Sequence, residues 1–508
     1  MFRAPENSPV HVDADERLTR GLLQELSGLP LVDVPGDPDG LLARAARPDL
    51  GGWLAHAARA RGCAHPVRLR GEVLTVQAST GVVLQRFNTD DLPDKVLYKP
   101  CGTRLASRCP ACAEVYRWDT YQLVKAGLAG GKGVPETVAT HPAVFATFTA
   151  PSFGLVHTRD ARSPKPCRPR RDRPVCPHGK PLSCMALHAE NDPRLGQPLC
   201  LDCYDHTHHV VWNHLVGKLW DRTMLRLRRA TGATGAGPIR LRFAKVAEYQ
   251  RRGVVHLHAL IRIDGHDPND PDAFLPPPVA VAPDGSTIPL YSAARLAETV
   301  KTVAAELALR TQAHPANADG WVIAWGHKGI DAKVVRTGLP GGELTEQHVA
   351  GYLAKYATKA TEVCGVTAGR ITSETIAAYG DRARHTNRLI LASWDLGAYV
   401  EWMGLRRWAH RLGFAGHFST KSRRYSTTLT ALRRARRPQN RIQVTAIDEQ
   451  DPAELTEDLH DDETTLVINH WQYVGNGWQT TGDAALAAMA ADAARQRRPA
   501  SSAGTNQT

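Results

Sequence analysis

Two stretches of this chain hold side chains that can act together on a phosphodiester. The first is GVVHLHALIRID, Gly253 to Asp264, in which two histidines sit one residue apart inside an apolar run. The run is β-branched and aliphatic and follows a glycine, so it reads as a strand with His256 and His258 on one face. Two imidazoles about 7 Å apart on one face can hold one ion between them. A carboxylate completes a site acceptable to Mg²⁺ or Mn²⁺, and Glu248, on the preceding strand IRLRFAKVAEY, is the candidate. The second stretch is GYLAKYATKATE, Gly351 to Glu362. Helical spacing stacks Tyr352 and Tyr356 on one face and sets Lys355 and Lys359 along its margin. A phenolate can attack a phosphodiester and remain bonded to phosphorus. A divalent cation polarises the nonbridging oxygens, and a lysine offsets charge near the leaving oxygen. Core packing alone would account for a histidine pair, a surface glutamate or a tyrosine stripe taken singly. It would not call for lysines phased with the tyrosines.

The elements that must position these groups read as α+β. AVFATFTA (143–150) alternates as a strand ending at Pro151, residues 206–230 form an amphipathic helix, and TGATGAGP breaks it. IRLRFAKVAEY and Gly253 to Ile263 then form a hairpin, Ala293 to Thr311 is helical, WVIAW and DAKVVRT are short strands, and Glu343 to Thr361 is helical. This order predicts an antiparallel sheet with helices packed against it.

Ten cysteines stand in spacings that favour zinc over disulfides. CPAC and CLDC are C-x-x-C knuckles, each with further cysteines upstream, which predicts two structural zinc sites. One is Cys63, Cys101, Cys109 and Cys112, with His65 as a substitute for the distant Cys63; the other is Cys176, Cys184, Cys200 and Cys203. Cys167 and Cys364 are left over as free thiols. Four thiolates leave no open coordination position, so catalysis belongs elsewhere.

The net charge of +12, with arginine far outnumbering lysine, suits a polyanion such as DNA. The basic surplus gathers in GLRRWAHRLG and KSRRYSTTLTALRRARRPQNR, where Arg406, Arg407, Arg423, Arg424, Arg433 and Arg434 are candidate phosphate contacts. Trp408, Phe414, Phe418 and Tyr425 are interleaved with them for occasional base stacking. Asp448 to Glu463 is acidic, and the ALAAMAADAARQRRPASSAGTNQT that ends the sequence reads as low-complexity and frayed. No run of 18 apolar residues and no apolar leader is visible, so a cytoplasmic protein without a membrane partner is expected. GLAGGKGVP has the wrong spacing for a phosphate-binding loop.

EYQRRGVVHLHAL followed by GYLAKYATK resembles the HUH endonucleases that initiate rolling-circle replication. His256-Leu257-His258 matches the His-hydrophobic-His motif, and YLAKY from Tyr352 to Tyr356 matches the two-tyrosine form Y-x-x-K-Y of phage-type initiators. VFATFTAPS is similar to the family's first motif. With CGTRLASRCPAC and CPHGKPLSC added, the set is most similar to RepSA-type initiators of actinobacterial plasmids and integrative elements, over roughly residues 100 to 430.

The resemblance implies a split β-α-β, RRM-like HUH palm with a central antiparallel sheet, zinc-knuckle insertions and a basic, partly helical C-terminal region. The expected organisation is an N-terminal region (1–95), a zinc-knuckle region (96–135, with Cys63) and an endonuclease domain (140–365) with a zinc-binding insert at about 160–205. A basic DNA-contacting region (366–445) and an acidic segment with a disordered tail (446–508) would follow. By the same resemblance, the protein nicks a double-strand origin and binds the exposed single strand. A tyrosine stays on the 5′ phosphate, and a free 3′ hydroxyl is left as primer for a host polymerase, with a host helicase as further partner. Tyr352, nearer the helix start, is the favoured first nucleophile. Two other classes compete: a non-catalytic zinc-containing DNA-binding regulator, which leaves the histidine pair and the tyrosine-lysine helix idle, and a zinc hydrolase, which lacks a third histidine.

Overall fold

Alternating apolar residues in VRLRGEVLTVQ give the chain its first long strand. The computed structural model describes residues 38–160, 165–233, 237–270, 273–327, 329–335, 345–358, 369–435 and 465–496. Two compact units emerge: residues 1–116 with 438–508, and residues 117–437.

In the first unit, helices α1 (Pro38–Ala45) and α2 (Leu50–Ala58) precede strands β1 (Val67–Gln77), β2 (Val83–Asn88) and β3 (Leu97–Lys99). The boundary between the units falls inside helix α3 (Pro110–Ala129). The second unit continues with β4 (Ala143–Phe148), α4 (His206–Thr231), β5 (Ile239–Tyr249), β6 (Val255–Gly265), α5 (Ala293–Glu306), β7 (Ile330–Val334), α6 (Glu346–Ala357), α7 (His385–Leu396) and β8 (Ser419–Lys421). The chain then returns to the first unit with β9 (Thr465–Asn476) and α8 (Thr481–Gln496).

That return corrects the expected disordered tail. β9 runs antiparallel to β1 from Val67↔Asn476 to Gln77↔Thr465. Leu486, Ala487 and Ala490 of α8 pack against Leu50, Trp53, Leu54 and Ala57 of α2. Alanine has the highest helix propensity, so the alanine-rich composition that resembles low complexity is also a good helix once one face has a partner. Arg44 of α1 is buried and bridges Asp94 and Asp483 at 2.8 and 2.7 Å, tying α8 into the unit. The acidic run Asp448 to Glu463 and the residues after 496 lie outside the described residues.

The second unit is built on a five-stranded sheet of order β7-β4-β6-β5-β8 with every pairing antiparallel. One face is apolar: Val144, Ala146 and Phe148 of β4 join Val255, Leu257, Ala259, Ile261 and Ile263 of β6 under α4 and α5. Trp220 of α4 meets Phe148 edge-on, with centroids 5.6 Å apart. α4 starts where Asp205 accepts the His208 amide and ends at Gly232, whose φ of 77° only glycine adopts readily. α5 buries Leu296, Ala297, Val300 and Ala304 at helical spacing, but ends at Glu306 rather than Thr311. Residues Ala308–Arg310 instead pair with Val322–Ala324, because a strand partner is in reach. No described helix is long and apolar enough to cross a membrane.

Candidate functional site

The opposite face of that sheet carries His256 and His258. The β5–β6 register sets Glu248 directly across from His256 and Val246 across from His258. His256 Nε2 lies 2.9 Å from Glu248 Oε2, His258 Nε2 lies 3.3 Å from the same oxygen, and the two Nε2 atoms are 3.2 Å apart. Neighbouring donors on an octahedral ion with bonds of about 2.1 Å stand about 3.0 Å apart. The three residues therefore fit a divalent cation. Thr147 Oγ1, 3.1 Å from His258 Nδ1, fixes that ring from β4. Burial pushes the His258 imidazole below its ordinary range, outweighing the nearby Glu248, and so favours the neutral ligand form.

Helix α6 lies over this cluster. Thr345 caps it by accepting the His348 amide, and Val349, Ala350, Leu353, Ala354 and Ala357 fill its buried side. That phase brings both tyrosines to the histidines. Tyr352 meets the His258 ring edge-on at 5.1 Å, and Tyr356 stacks on it at 5.4 Å and 27°. The two phenol rings are 4.4 Å apart, and Phe145 backs both His258 and Tyr352. Tyr352 remains 39% exposed, so a strand of DNA could reach it. Burial, then a hydrogen bond with Tyr356, raises its phenol well above the usual range. Lys355 is exposed, with Nζ 5.8 Å from the Tyr356 ring. Lys359 lies outside the described residues.

The cysteines gather differently from the spacing-based expectation. Cys63, Cys101, Cys109 and Cys112 do meet, with ligand atoms within 4.8 Å of one another, and His65 is not among them. Cys63 Sγ accepts the Cys101 amide at 3.2 Å, and Cys109 Sγ accepts the Ala64 amide at 3.4 Å. A hydrogen bond from the Cys112 thiol holds Cys63 down to about 5. The second expected set is divided. Cys176, Cys200 and Cys203 meet with His178, whereas Cys184 joins His157, Cys167 and His188. The reason is a backbone bridge: Cys184 and Arg168 exchange amide bonds of 2.9 and 2.7 Å, which carries Cys184 to the Cys167 side. Cys167 is thus a cluster member and not a leftover thiol, and Cys364 lies outside the described residues. His157, His178 and His188 were missed, although C-x-H at 176–178 and C-x-x-x-H at 184–188 were visible. These cysteine clusters could hold zinc.

The basic segment divides too. Arg406 donates to the Trp394 carbonyl at 3.1 Å and stacks on its ring, and Arg433 pairs with Asp119 at 3.1 Å. Arg407, Arg423 and Arg434 are exposed and Arg424 is half-buried. Phe414, Phe418 and Tyr425 are buried, so they serve the core and not base stacking. Phe414 and Tyr425 each follow a turn, a context that an arginine-rich composition conceals.

Residues 49–492 match the family model RepSA, described as "Replication initiator protein, pSAM2". The chain belongs to the RepSA replication initiator family. A replication initiator protein of Streptomyces ambofaciens is 39% identical to this RepSA-family chain over 462 residues, 89% of the chain and 92% of the relative. No solved structure matches it.

Proposed function

We propose that this RepSA-family initiator nicks origin DNA by tyrosine transesterification in an HUH-type centre built on an RRM-like palm. One observation carries the reading: two tyrosines one helical turn apart, both packed on His258 of a Glu248–His256–His258 cluster. Glu248, His256 and His258 would hold Mg²⁺ or Mn²⁺, which when bound supplies positive charge to a nonbridging phosphate oxygen. Tyr352 or Tyr356 attacks phosphorus: the phenol oxygen forms the new P–O bond, the bond to the 3′ oxygen breaks, and that oxygen leaves as a 3′ hydroxyl. Because Tyr352 holds its proton above the ordinary phenol range, nearby positive charge is needed to release it. Lys355, with Lys359 as second candidate, supplies such charge from the protein. The second tyrosine would cleave the junction regenerated after one round, releasing a circle without ATP. Exposed arginines such as Arg407, Arg423 and Arg434 bind the DNA backbone, and polymerase and helicase are supplied by the host.

Incubation of the full chain with supercoiled replicon DNA and Mn²⁺ tests this. The expected product is open-circular DNA carrying one protein on a 5′ end, stable to detergent and digestible to phosphotyrosine. Nicking without any covalent adduct would refute the transesterification.

A further inference from the structure

Between β4 and α4, metal-ligating residues alternate along the chain between two points in space. In order they are His157 and Cys167, Cys176 and His178, Cys184 and His188, Cys200 and Cys203. The first and third pairs converge on one point, the second and fourth on another. We propose that this segment binds two zinc ions in an interleaved cross-brace, in which His157, Cys167, Cys184 and His188 form a zinc centre of two thiolates and two imidazoles.

The separations carry the argument. Around tetrahedral zinc, bond lengths of about 2.3 Å to sulfur and about 2.0 Å to nitrogen place nitrogens about 3.3 Å apart and sulfur and nitrogen about 3.5 Å apart. Here His157 Nδ1 and His188 Nε2 are 3.2 Å apart, Cys167 Sγ and His157 Nδ1 3.8 Å, and Cys184 Sγ and His188 Nε2 3.6 Å. The surroundings are those of a ligand set. Asp192 Oδ2 lies 2.7 Å from His188 Nδ1, which keeps the proton on that nitrogen and turns the Nε2 lone pair inward. Asp192 is itself held by the Arg194 amide and guanidinium at 2.9 and 2.8 Å. The Thr158 amide donates to Cys167 Sγ at 3.1 Å, as suits a thiolate, and neither cysteine is in a disulfide. In the companion centre, His178 Nδ1 is 3.2 Å from Cys203 Sγ and 3.7 Å from Cys200 Sγ.

A short ladder joins the two centres: His157 donates to the Gln197 carbonyl and accepts from Gly196, and Leu199 donates to Leu155, each at 2.9 Å, one residue before Cys200. Each ligand set encloses half of the other, so removing either ion frees the loop that the other closes. Zinc loss from the two centres is therefore coupled.

Chelator titration of the zinc-loaded full chain, followed by alkylation and peptide mapping, tests both parts. Before chelation Cys167 and Cys184 should be protected. During it they should become reactive in the same phase as Cys176, Cys200 and Cys203. Elemental analysis of Cys167→Ser/Cys184→Ser should show at least one zinc fewer than the parent, and Co²⁺ substitution of the parent should give the bands of a two-thiolate site. Alkylation of Cys167 and Cys184 at free-thiol rates in the loaded protein, or a disulfide between them, would overturn the centre. Two separate phases of release would overturn the cross-brace. The protection and phase measurements use the unmutated chain, so they decide the matter even where the variant fails to fold.

Discussion

Alternation along β6 places His256 and His258 near one end of a sheet face and Arg262 and Asp264 near the other. Both ends bury charge, yet they are organised in opposite ways. At the Arg262 end the groups are paired. Arg262 donates twice to Asp264 at 2.6 and 2.7 Å and also to the Gly127 carbonyl, while His141 Nδ1 stands 2.8 Å from Asp264. The Tyr425 ring covers the guanidinium, and its hydroxyl donates to Val124. Burial would raise the Asp264 carboxyl, but hydrogen bonds from His141 and Arg262 pull it below the usual range. At the other end three ligand atoms converge on one point, and the tyrosine beside them is open to solvent. Burial of charge is therefore common to both ends, and convergence and access distinguish the histidine end.

The contrast can be broken in several ways, beginning with the largest effect. Tyr352→Phe/Tyr356→Phe should form no covalent adduct at all, and each single variant should either fail to nick or nick once without releasing circles. Adduct formation by the double variant, read on a denaturing gel, would put the nucleophile elsewhere. His256→Ala/His258→Ala should lower the nicking rate about a thousandfold, consistent with several kcal/mol from the cation, while DNA affinity changes little. Metal-dependent nicking at the parental rate would remove the cluster from the mechanism.

Asp264→Ala should do the reverse. Stranding Arg262 without its carboxylate should cost about 3–5 kcal/mol of stability, seen as a lower melting temperature, while the nicking that remains keeps its metal dependence. A third group, His206, His209 and His385 around Tyr204, extends the comparison to buried histidines with neither arrangement. Burial lowers all three, His206 to about 4 and His385 to about 3. The unfolded chain then binds more protons than the folded one below about pH 6.5. Stability should fall as pH drops from about 6.5 towards about 4, by about 1 kcal/mol or more per unit. Melting curves at pH 7 and pH 5 with the same midpoint would contradict that sign. Smallest is the salt effect: neutralising Arg407, Arg423 and Arg434 should flatten the salt dependence of DNA binding by about one unit of slope per lost phosphate contact. Arg406→Gln should leave the slope alone, because that guanidinium is committed to Trp394. Equal slopes in all variants would make the whole basic segment structural.

The histidine–tyrosine end was legible in the sequence because its signal is largely periodic. Residues two apart on a strand and four apart on a helix share a face, as His256 with His258 and Tyr352 with Tyr356 do, and hairpin pairing brings Glu248 opposite His256. The closed end was not, since nothing local says that Arg262 will meet Gly127 across a difference of 135 positions. Of the two expected cysteine sets, Cys63, Cys101, Cys109 and Cys112 do meet, and the second was misgrouped for a related reason. C-x-x-C spacing identifies a knuckle but not its distant partners, and a chain that interleaves two centres defeats grouping by proximity. β9 was overlooked through its neighbours: an acidic run before it and an alanine-rich stretch after it hid the alternation in TLVINHWQYVGN.

The discontinuity of the first unit has a consequence for the order in which the protein is made. Arg44 and Asp483 are 439 residues apart, and β1 has β9 along one edge. At about 5–20 residues per second, α1 and β1 leave the ribosome roughly 20 to 90 s before Asp483 is synthesised. The second unit, contained within residues 117–437, has all its strands by then. A nascent chain therefore carries a finished second unit behind an N-terminal segment whose β1 edge and Trp53 still await their cover, which makes that segment the natural client of a chaperone. Nonsense truncation between residues 438 and 464 should leave residues 38–116 protease-sensitive while the second unit stays resistant.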